Sequence, residues 1–296
     1  MPSQTADAAQ PRALIVTIYG LYARAVDGEV MSTSAPTAHA GWLPVSLLVR
    51  LLAELDVDEP AVRSAISRLK RRGLLVAERR DAVAGYGLSE AGDAILAEGD
   101  ARIFAPAQPR LADGWVLAVF SVPEHERAKR HTLRTQLAAL GFGACAPGVW
   151  IAPSHRFDLT VASLRRHGLA PYVDLFRAEY LAFGDIGTHA REWWDLDAVR
   201  AAYVDFISAY QRSALPVHGP GRPTDALTDA AAFALWVRAL TAWRRLPYLD
   251  PGLPIELLPA DWPARAARDV FASLRETLAD PARTFVANTS TTVAVG

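Results

Sequence analysis

Glu59–Gly73 reads Glu-Pro-Ala-Val-Arg-Ser-Ala-Ile-Ser-Arg-Leu-Lys-Arg-Arg-Gly, and this stretch decides how the rest of the chain is interpreted. Its larger apolar residues recur at the spacing of one helix face, namely Val62, Ile66 and Leu69. Asp58 or Glu59 suits the N-cap, and Pro60 suits the first turn, where a missing N–H costs nothing. Gly73 suits the left-handed residue that ends a helix. The pattern therefore predicts an amphipathic helix.

The opposite face of this helix mixes cations with short hydroxyl side chains: Arg63, Ser64, Ser67, Arg68, Lys70 and Arg71. Cations neutralise phosphates, and short side chains let a helix approach base edges. A charged face on a lone amphipathic helix is more often simply solvated, so the neighbouring segments decide between the two interpretations.

The neighbouring segments favour a DNA-binding unit. Pro44–Leu55 has the apolar content of another helix, and the polar connection Asp56–Glu59 has the length of the turn in a helix-turn-helix. Downstream, Leu74–Arg80 is predicted as a strand, Asp81–Gly85 as a turn, and a return strand begins at Tyr86. Helix, turn, helix and hairpin together predict a winged helix-turn-helix.

Charge is concentrated in the same region. The chain has a net charge of −1, yet between Arg63 and Arg80 the only acidic residue is Glu78. We assign residues 11–104 to the DNA-binding domain. The major-groove candidates are Arg63, Ser64, Ser67, Arg68 and Arg71. The remaining cations of the predicted site are Lys70, Arg72, Arg79 and Arg80. Of these, Arg72, Arg79 and Arg80 are assigned to phosphates.

The bulk composition bounds the class of protein. The 296 residues suffice for two or three domains, and the 51% hydrophobic content is that of a globular protein. The single cysteine, Cys145, rules out an internal disulfide and fits a cytoplasmic location. No apolar run approaches the ~18 residues that span a bilayer. Met1–Gln10 lacks the order of a signal peptide and is predicted to be a loose tail.

Residues 112–188 are predicted to form a ferredoxin-like (split βαβ) dimerisation domain. Its predicted elements alternate β-α-β-β-α-β: Trp115–Val122, Glu124–Leu140, a hairpin in Ala144–Ala152, Phe157–His167 and most of Ala170–Phe183. Helices cover one face of such a sheet. A second copy of the chain is the simplest candidate to cover the other face.

Residues 192–282 are predicted to form a helical C-terminal domain, which makes the whole an α+β, multidomain protein. Its predicted helices are Leu196–Arg212, Asp229–Leu246 and Trp262–Leu278, with a proline-rich connector before the last. Gly28–Gly41 and Ser213–Asp225 are predicted loops. The Thr- and Ser-rich segment Ala287–Gly296 is predicted to be frayed.

These residues resemble the PaaX family of repressors of phenylacetate catabolism over about residues 12 to 280. The resemblance rests on Ala65–Gly73 with its hairpin, Trp115–Val122 with Gly141-Phe142 and Pro147–Trp150, and Trp193–Leu196 with Asp250–Pro254 and Leu257–Trp262. It implies a winged helix, a middle domain similar to the small CRISPR-associated endoribonuclease fold, and a helical C-terminal domain. It also implies a homodimer that binds double-stranded operator DNA and is released by an aryl acyl-CoA such as phenylacetyl-CoA.

One departure concerns catalysis. Nucleases of the middle-domain fold place a metal-binding aspartate at the end of the first strand, where this sequence has Ser121 and no carboxylate before Glu124. We therefore expect no nuclease activity and no enzyme. The histidines are scattered without metal-ligand spacing, so no metal or cofactor is expected. A residual nuclease and a winged-helix protein–protein adaptor remain the alternatives.

The effector site stays unassigned. One set of aromatic residues can either line a pocket for an aryl group or form core: Trp193, Trp194, Trp236, Trp243 and Trp262. Arg191, Arg244 and Arg245 can either meet coenzyme A phosphates or form ordinary surface ion pairs.

Overall fold

The structure is a computed structural model that describes residues 10–24, 41–181, 183–214 and 227–295. The predicted tail and the two predicted loops, at Met1–Gln10, Gly28–Gly41 and Ser213–Asp225, fall mainly outside these ranges. The chain divides into two compact units. Unit 1 holds the residues up to Phe104 with Ser208–Trp243 and those from Arg268, and unit 2 holds Ala105–Ile207 with Arg244–Ala267.

The elements follow each other in mixed order along the described chain. The helices are α1 (Gln10–Tyr22), α2 (Val45–Ala53), α3 (Glu59–Arg71), α4 (Glu90–Phe104), α5 (Arg127–Ala139), α6 (Phe157–Arg166), α7 (Ile186–Trp193), α8 (Leu196–Ala214), α9 (Asp229–Trp243), α10 (Leu246–Leu249) and α11 (Ala264–Val295). The strands are β1 (Trp42–Pro44), β2 (Leu75–Arg80), β3 (Val83–Leu88), β4 (Trp115–Phe120), β5 (Gly143–Ala146), β6 (Val149–Pro153) and β7 (Val173–Ala178). None of these helices is long and apolar enough to cross a bilayer.

Helix α1 is central to unit 1, because it contacts α2, α3 and α9. Its sequence is apolar on nearly every side, and Leu14, Ile15 and Ile18 are fully buried. A helix with neighbours on several sides needs apolar residues all round, whereas a surface helix needs only one stripe. From α9, Phe233 and Trp236 enter the same core.

The sheet of unit 1 has the order β1-β3-β2 and is antiparallel throughout. β1 was not predicted from the sequence, where Pro44 was assigned to a helix. The three residues of β1 pair with Gly85–Gly87 of β3, and Trp42 and Leu43 are buried. A three-residue strand that ends in proline is too short to show an alternating pattern.

Unit 2 contains a four-stranded antiparallel sheet of order β5-β6-β4-β7. Its elements run β4-α5-β5-β6-α6-β7 along the chain, so the predicted β-α-β-β-α-β order is confirmed. Val116 and Ala118 of β4 pack with Leu133 and Leu137 of α5. The helices therefore cover one face of the sheet.

The other face of this sheet is only partly covered. Trp194, just after α7, stacks on Trp115 with 6.1 Å between ring centroids and donates its indole N–H to Gly141 O at 3.0 Å. Farther along the face, the side chains of Val119 and Phe176 are 39% and 52% exposed. An apolar area thus remains open to solvent.

The predicted fraying of Ala287–Gly296 is wrong as far as Val295, because α11 continues to that residue. Val286 is buried in the core of unit 1, which anchors the helix. Its hydroxyl side chains bond to backbone carbonyls one turn earlier, as at Thr289, Ser290, Thr291 and Thr292. Such bonds satisfy the hydroxyls without leaving helical geometry.

Two further differences concern the C-terminal part. Helix α7, which the sequence did not predict, begins after Asp185, whose carboxylate accepts the Thr188 N–H at 2.8 Å. The helices expected to form a separate domain over 192–282 are shared between the two units, with α9 in unit 1 and most of α8 in unit 2. The three predicted domain boundaries stay a prediction.

Candidate nucleic-acid interface

Local sequence explains the limits of α3. The Asp58 carboxylate accepts the Ala61 N–H at 2.7 Å, so Asp58 is the N-cap and Glu59 is the first helical residue. At the other end Gly73 has a φ of 72°, the left-handed conformation predicted for it. The predicted apolar stripe of α3 is buried, with Ala65 added to it.

The nine predicted site residues all lie in unit 1, on α3, just after it, or on β2. Those exposed to solvent are Arg63, Ser64, Ser67, Lys70, Arg71, Arg72 and Arg79. Arg68 and Arg80 are partly buried, and the Nε atom of Arg68 is buried without a hydrogen-bond partner. Helix α3 packs against β2, so the two elements that carry these residues are neighbours in unit 1.

Some of these cations are already engaged within the protein. Arg63 donates to the Glu59 carboxylate one turn earlier, at 2.7 Å. Arg80 donates to the Glu78 carboxylate at 2.7 Å and lies over the Trp42 ring, 5.2 Å from its centroid. These contacts fix the directions of two arginines that the sequence treated as equivalent to the rest.

Lys70, Arg71 and Arg72 differ from the other cations. No described acidic residue forms an ion pair with any of the three, and all are exposed. They lie in the last turn of α3 and just beyond it, where cations also interact favourably with the helix dipole. Three solvated cations without internal partners are available to an external anion such as a phosphate.

The hairpin beside α3 is tighter than predicted. Its turn consists of Asp81 and Ala82, with φ values of 47° and 67°, rather than Asp81–Gly85. Two positive φ values at a two-residue turn are those of a type I′ hairpin, which matches the twist of the strands. Arg79 donates from Nη2 to Ala82 O at 2.8 Å, so its guanidinium is held at the tip.

Tyr19 connects α1 to the hairpin. Its hydroxyl donates to Tyr86 O at 2.8 Å, and the residue is almost fully buried. Burial raises the pKa of Tyr19 above its ordinary value, so the hydroxyl remains a donor at any physiological pH. The sequence did not reveal this contact, because the two residues are far apart along the chain.

In unit 2 a serine, not a carboxylate, follows the first strand of the sheet. β4 ends at Phe120, and Ser121 follows it, at the position for which the resemblance implied an aspartate in the nucleases. Among the described residues, no group of three or more His, Cys, Asp or Glu side chains could hold a metal ion.

The aromatic candidates for an effector pocket include core residues. In unit 1, Trp236 and Trp243 stack on Phe271, with centroid distances of 5.6 and 4.6 Å, and both tryptophans are buried. In unit 2, Arg191 donates to the Thr188 hydroxyl at 3.3 Å, and burial lowers the pKa of Arg244. These contacts explain the residues structurally and assign no effector site.

Comparison with known proteins gives concordant results for successive segments. Three family models match: "PaaX-like protein" at residues 33–92, "PaaX protein central Cas2-like domain" at 108–189 and "PaaX-like protein C-terminal domain" at 194–288. The chain is 31% identical over 245 residues to the transcriptional repressor PaaX of Escherichia coli (strain K12), covering 81% of this chain and 75% of that protein. It is also similar to the solved structure of the uncharacterized protein Rv0674 from Mycobacterium tuberculosis, with 26% identity, a TM-score of 0.54, and coverage of 84% of this chain and 94% of that one.

Proposed function

This chain belongs to the PaaX family, and from that premise we propose that it is a cytoplasmic transcriptional repressor whose residues 11–104 form a winged helix-turn-helix for operator DNA. It acts as a homodimer on a near-palindromic operator. An aryl acyl-CoA such as phenylacetyl-CoA releases it, as the family resemblance implies. The similarity to a repressor favours a protein that is not an enzyme.

The observation that carries this proposal is the combination of α3 with the hairpin. One side of α3 is buried in unit 1, and the other exposes hydroxyls and cations, of which Lys70, Arg71 and Arg72 have no ion-pair partner among the described residues. An amphipathic helix of this kind fits the major groove, and a hairpin with arginines near its tip fits the adjacent backbone.

We assign the residues of this surface two roles. The residues that enter the major groove are Arg63, Ser64, Ser67, Arg68 and Arg71. The residues that contact phosphates are Lys70, Arg72, Arg79 and Arg80. The hydrogen bond from Arg63 to Glu59 supports a role in base contacts, because it holds the guanidinium in one direction before DNA binds. The exposed, unpaired state of Lys70 and Arg72 suits contacts whose strength depends on charge alone.

A binding experiment with duplexes from the DNA upstream of the protein's own gene tests the function. We expect one near-palindromic duplex to bind at least about 10³-fold more tightly than a scrambled duplex of equal length, as specific sites do. Phenylacetyl-CoA should release the protein from this duplex, whereas coenzyme A with free phenylacetate should not. Equal affinity for all duplexes would contradict the repressor function, and the adaptor alternative would then stand.

We propose that the open sheet face of unit 2 is the surface that a second copy covers. Val119 and Phe176 expose apolar area there, on a face that Trp194 covers only at its other end. Covering large apolar side chains is favourable, and isologous packing of one face on its copy is the commonest way to form a dimer.

Phe176→Asp should weaken this dimer at least about 30-fold, because truncation of a buried interface anchor costs about 2 kcal/mol or more. Sedimentation over a concentration series measures the effect. Ile255→Asp is the matched control, since Ile255 is 67% exposed in the same unit but lies off the sheet. Equal dimerisation of the two variants would remove this face from the interface.

A further inference from the structure

The turn between α2 and α3 contains a strained residue. Asp56 has a φ of 58°, in the left-handed region that side chains other than glycine rarely adopt. The turn is short, and the N-cap Asp58 of α3 follows two residues later. Leu55, the residue before Asp56, is buried. The conformation of this turn therefore affects the direction in which the chain enters α3.

An arginine from the C-terminal part of the chain holds this turn. The Nη2 atom of Arg238, on α9, donates to Leu55 O at 2.8 Å and to the Asp56 carboxylate at 2.8 Å. All three residues belong to unit 1, although Arg238 is 182 residues from Asp56 in sequence. Because the first of these hydrogen bonds is made to a backbone carbonyl, it directly constrains the backbone of the turn.

Helix α9 is a firm support for this arginine. Trp236 and Val237, which flank it on the amino-terminal side, are buried in the core. One turn later, Thr241 hydrogen-bonds Thr17 of α1 at 2.8 Å. The stem of Arg238 thus starts from a fixed point, and its charged end reaches a turn that has a strained residue.

We propose that Arg238 is a positioning residue that sets the placement of α3 and thereby couples the C-terminal segment to DNA binding. This inference rests on the proposed function of α3. Arg238 lies in the segment matched by the C-terminal family model, and Leu55 and Asp56 lie in the segment matched by the N-terminal one. A ligand that displaces α9 would release the turn, and α3 would lose its fixed position without any change in its own residues.

Arg238→Met tests the assignment, because methionine keeps an apolar stem and removes the donors. Arg283→Met is the matched control. Arg283 is also in unit 1, pairs with Asp280 at 2.8 Å, and its side chain is 32% exposed against 33% for Arg238. That ion pair, however, lies within α11, so its loss removes the same charge without touching the turn.

We expect Arg238→Met to weaken specific operator binding about tenfold relative to Arg283→Met, the effect of losing a charge-assisted hydrogen bond. The salt slope and the affinity for scrambled DNA should match those of the control, because no phosphate contact is lost. Without DNA, amide hydrogen exchange over residues 56–61 should be faster in Arg238→Met only. Arg238→Lys, which keeps a charged donor, should recover part of the affinity.

The possible outcomes distinguish a failure of this inference from a failure of the proposed repressor function. Equal operator affinity, or equal amide exchange, of the two methionine variants would overturn the role of Arg238 and leave the repressor function intact. A salt slope lowered by about 0.9 would instead make Arg238 a phosphate contact. If the unsubstituted protein bound no operator, the proposed function and the coupling would both fall, whatever the exchange result.

Discussion

Replacing Lys70 and Arg72 together by glutamine should weaken operator binding about 60-fold near 0.1 M salt and lower the slope of log K against log salt by about 1.8. Each phosphate contact contributes about 0.9 to that slope, and the two side chains are exposed and free of ion pairs with described residues. Glutamine keeps most of the stem and has a similar helix propensity, so the fold should be unaffected. Titrations at several salt concentrations measure both quantities.

A charge-matched control distinguishes the effect of this surface on DNA binding from the effect of the protein's net charge. Arg212→Gln with Arg283→Gln removes two positive charges from α8 and α11 in the same unit, at a distance in sequence from α3. That pair should leave the slope within experimental error of the original. An equal decrease for both pairs would mean that overall charge, rather than this surface, drives the association.

The features that local sequence fixes were predictable. Helix α3 has a capping aspartate, a buried stripe and a terminal glycine within 16 residues, Asp58 to Gly73, and the structure contains all three. The β-α-β-β-α-β order of unit 2 was also recovered, since its helices and longer strands show their own period and Pro147-Gly148 marks the turn of the hairpin. The helices among them satisfy most of their hydrogen bonds with near neighbours in sequence.

The features that depend on distant partners were not predictable. β1 exists because Trp42 and Leu43 pair with β3, and α7 is too short for its period to stand out. The Ser- and Thr-rich end of α11 stays helical because Val286 is anchored in a core. Local propensity is a weak guide wherever tertiary burial outweighs it.

The candidate site divides in the same way. The spacing of its cations was enough to identify them, but it did not show which of them form contacts within the protein. The ion pair of Arg63 with Glu59 spans one helical turn and could have been inferred from sequence. The bond from Arg238 to Leu55 O could not, because nothing in either segment signals the other. Contacts between distant segments require the fold to be known first.

Gly85→Ala should destabilise unit 1 by about 3 kcal/mol and weaken operator binding with it. A Cβ at position 85 would lie 2.6 Å from Leu43 O and would also overlap the Trp42 ring. The carbonyl belongs to β1, and Trp42 is buried, so neither neighbour can move without separating β1 from β3. Overpacking against backbone cannot be relieved by a change of rotamer.

Gly87→Ala on the same strand is the control for this substitution. There a Cβ would lie 3.2 Å from Glu78 Oε2, the mobile end of a flexible side chain, and 3.7 Å from Gly41 O. We expect Gly85→Ala to lower the melting temperature by roughly 5–10 °C and Gly87→Ala to lower it far less. Because the hairpin and α3 pack together, operator affinity should follow the melting temperature in these two variants. A Gly85→Ala protein that melts normally would show that β1 does not hold the hairpin.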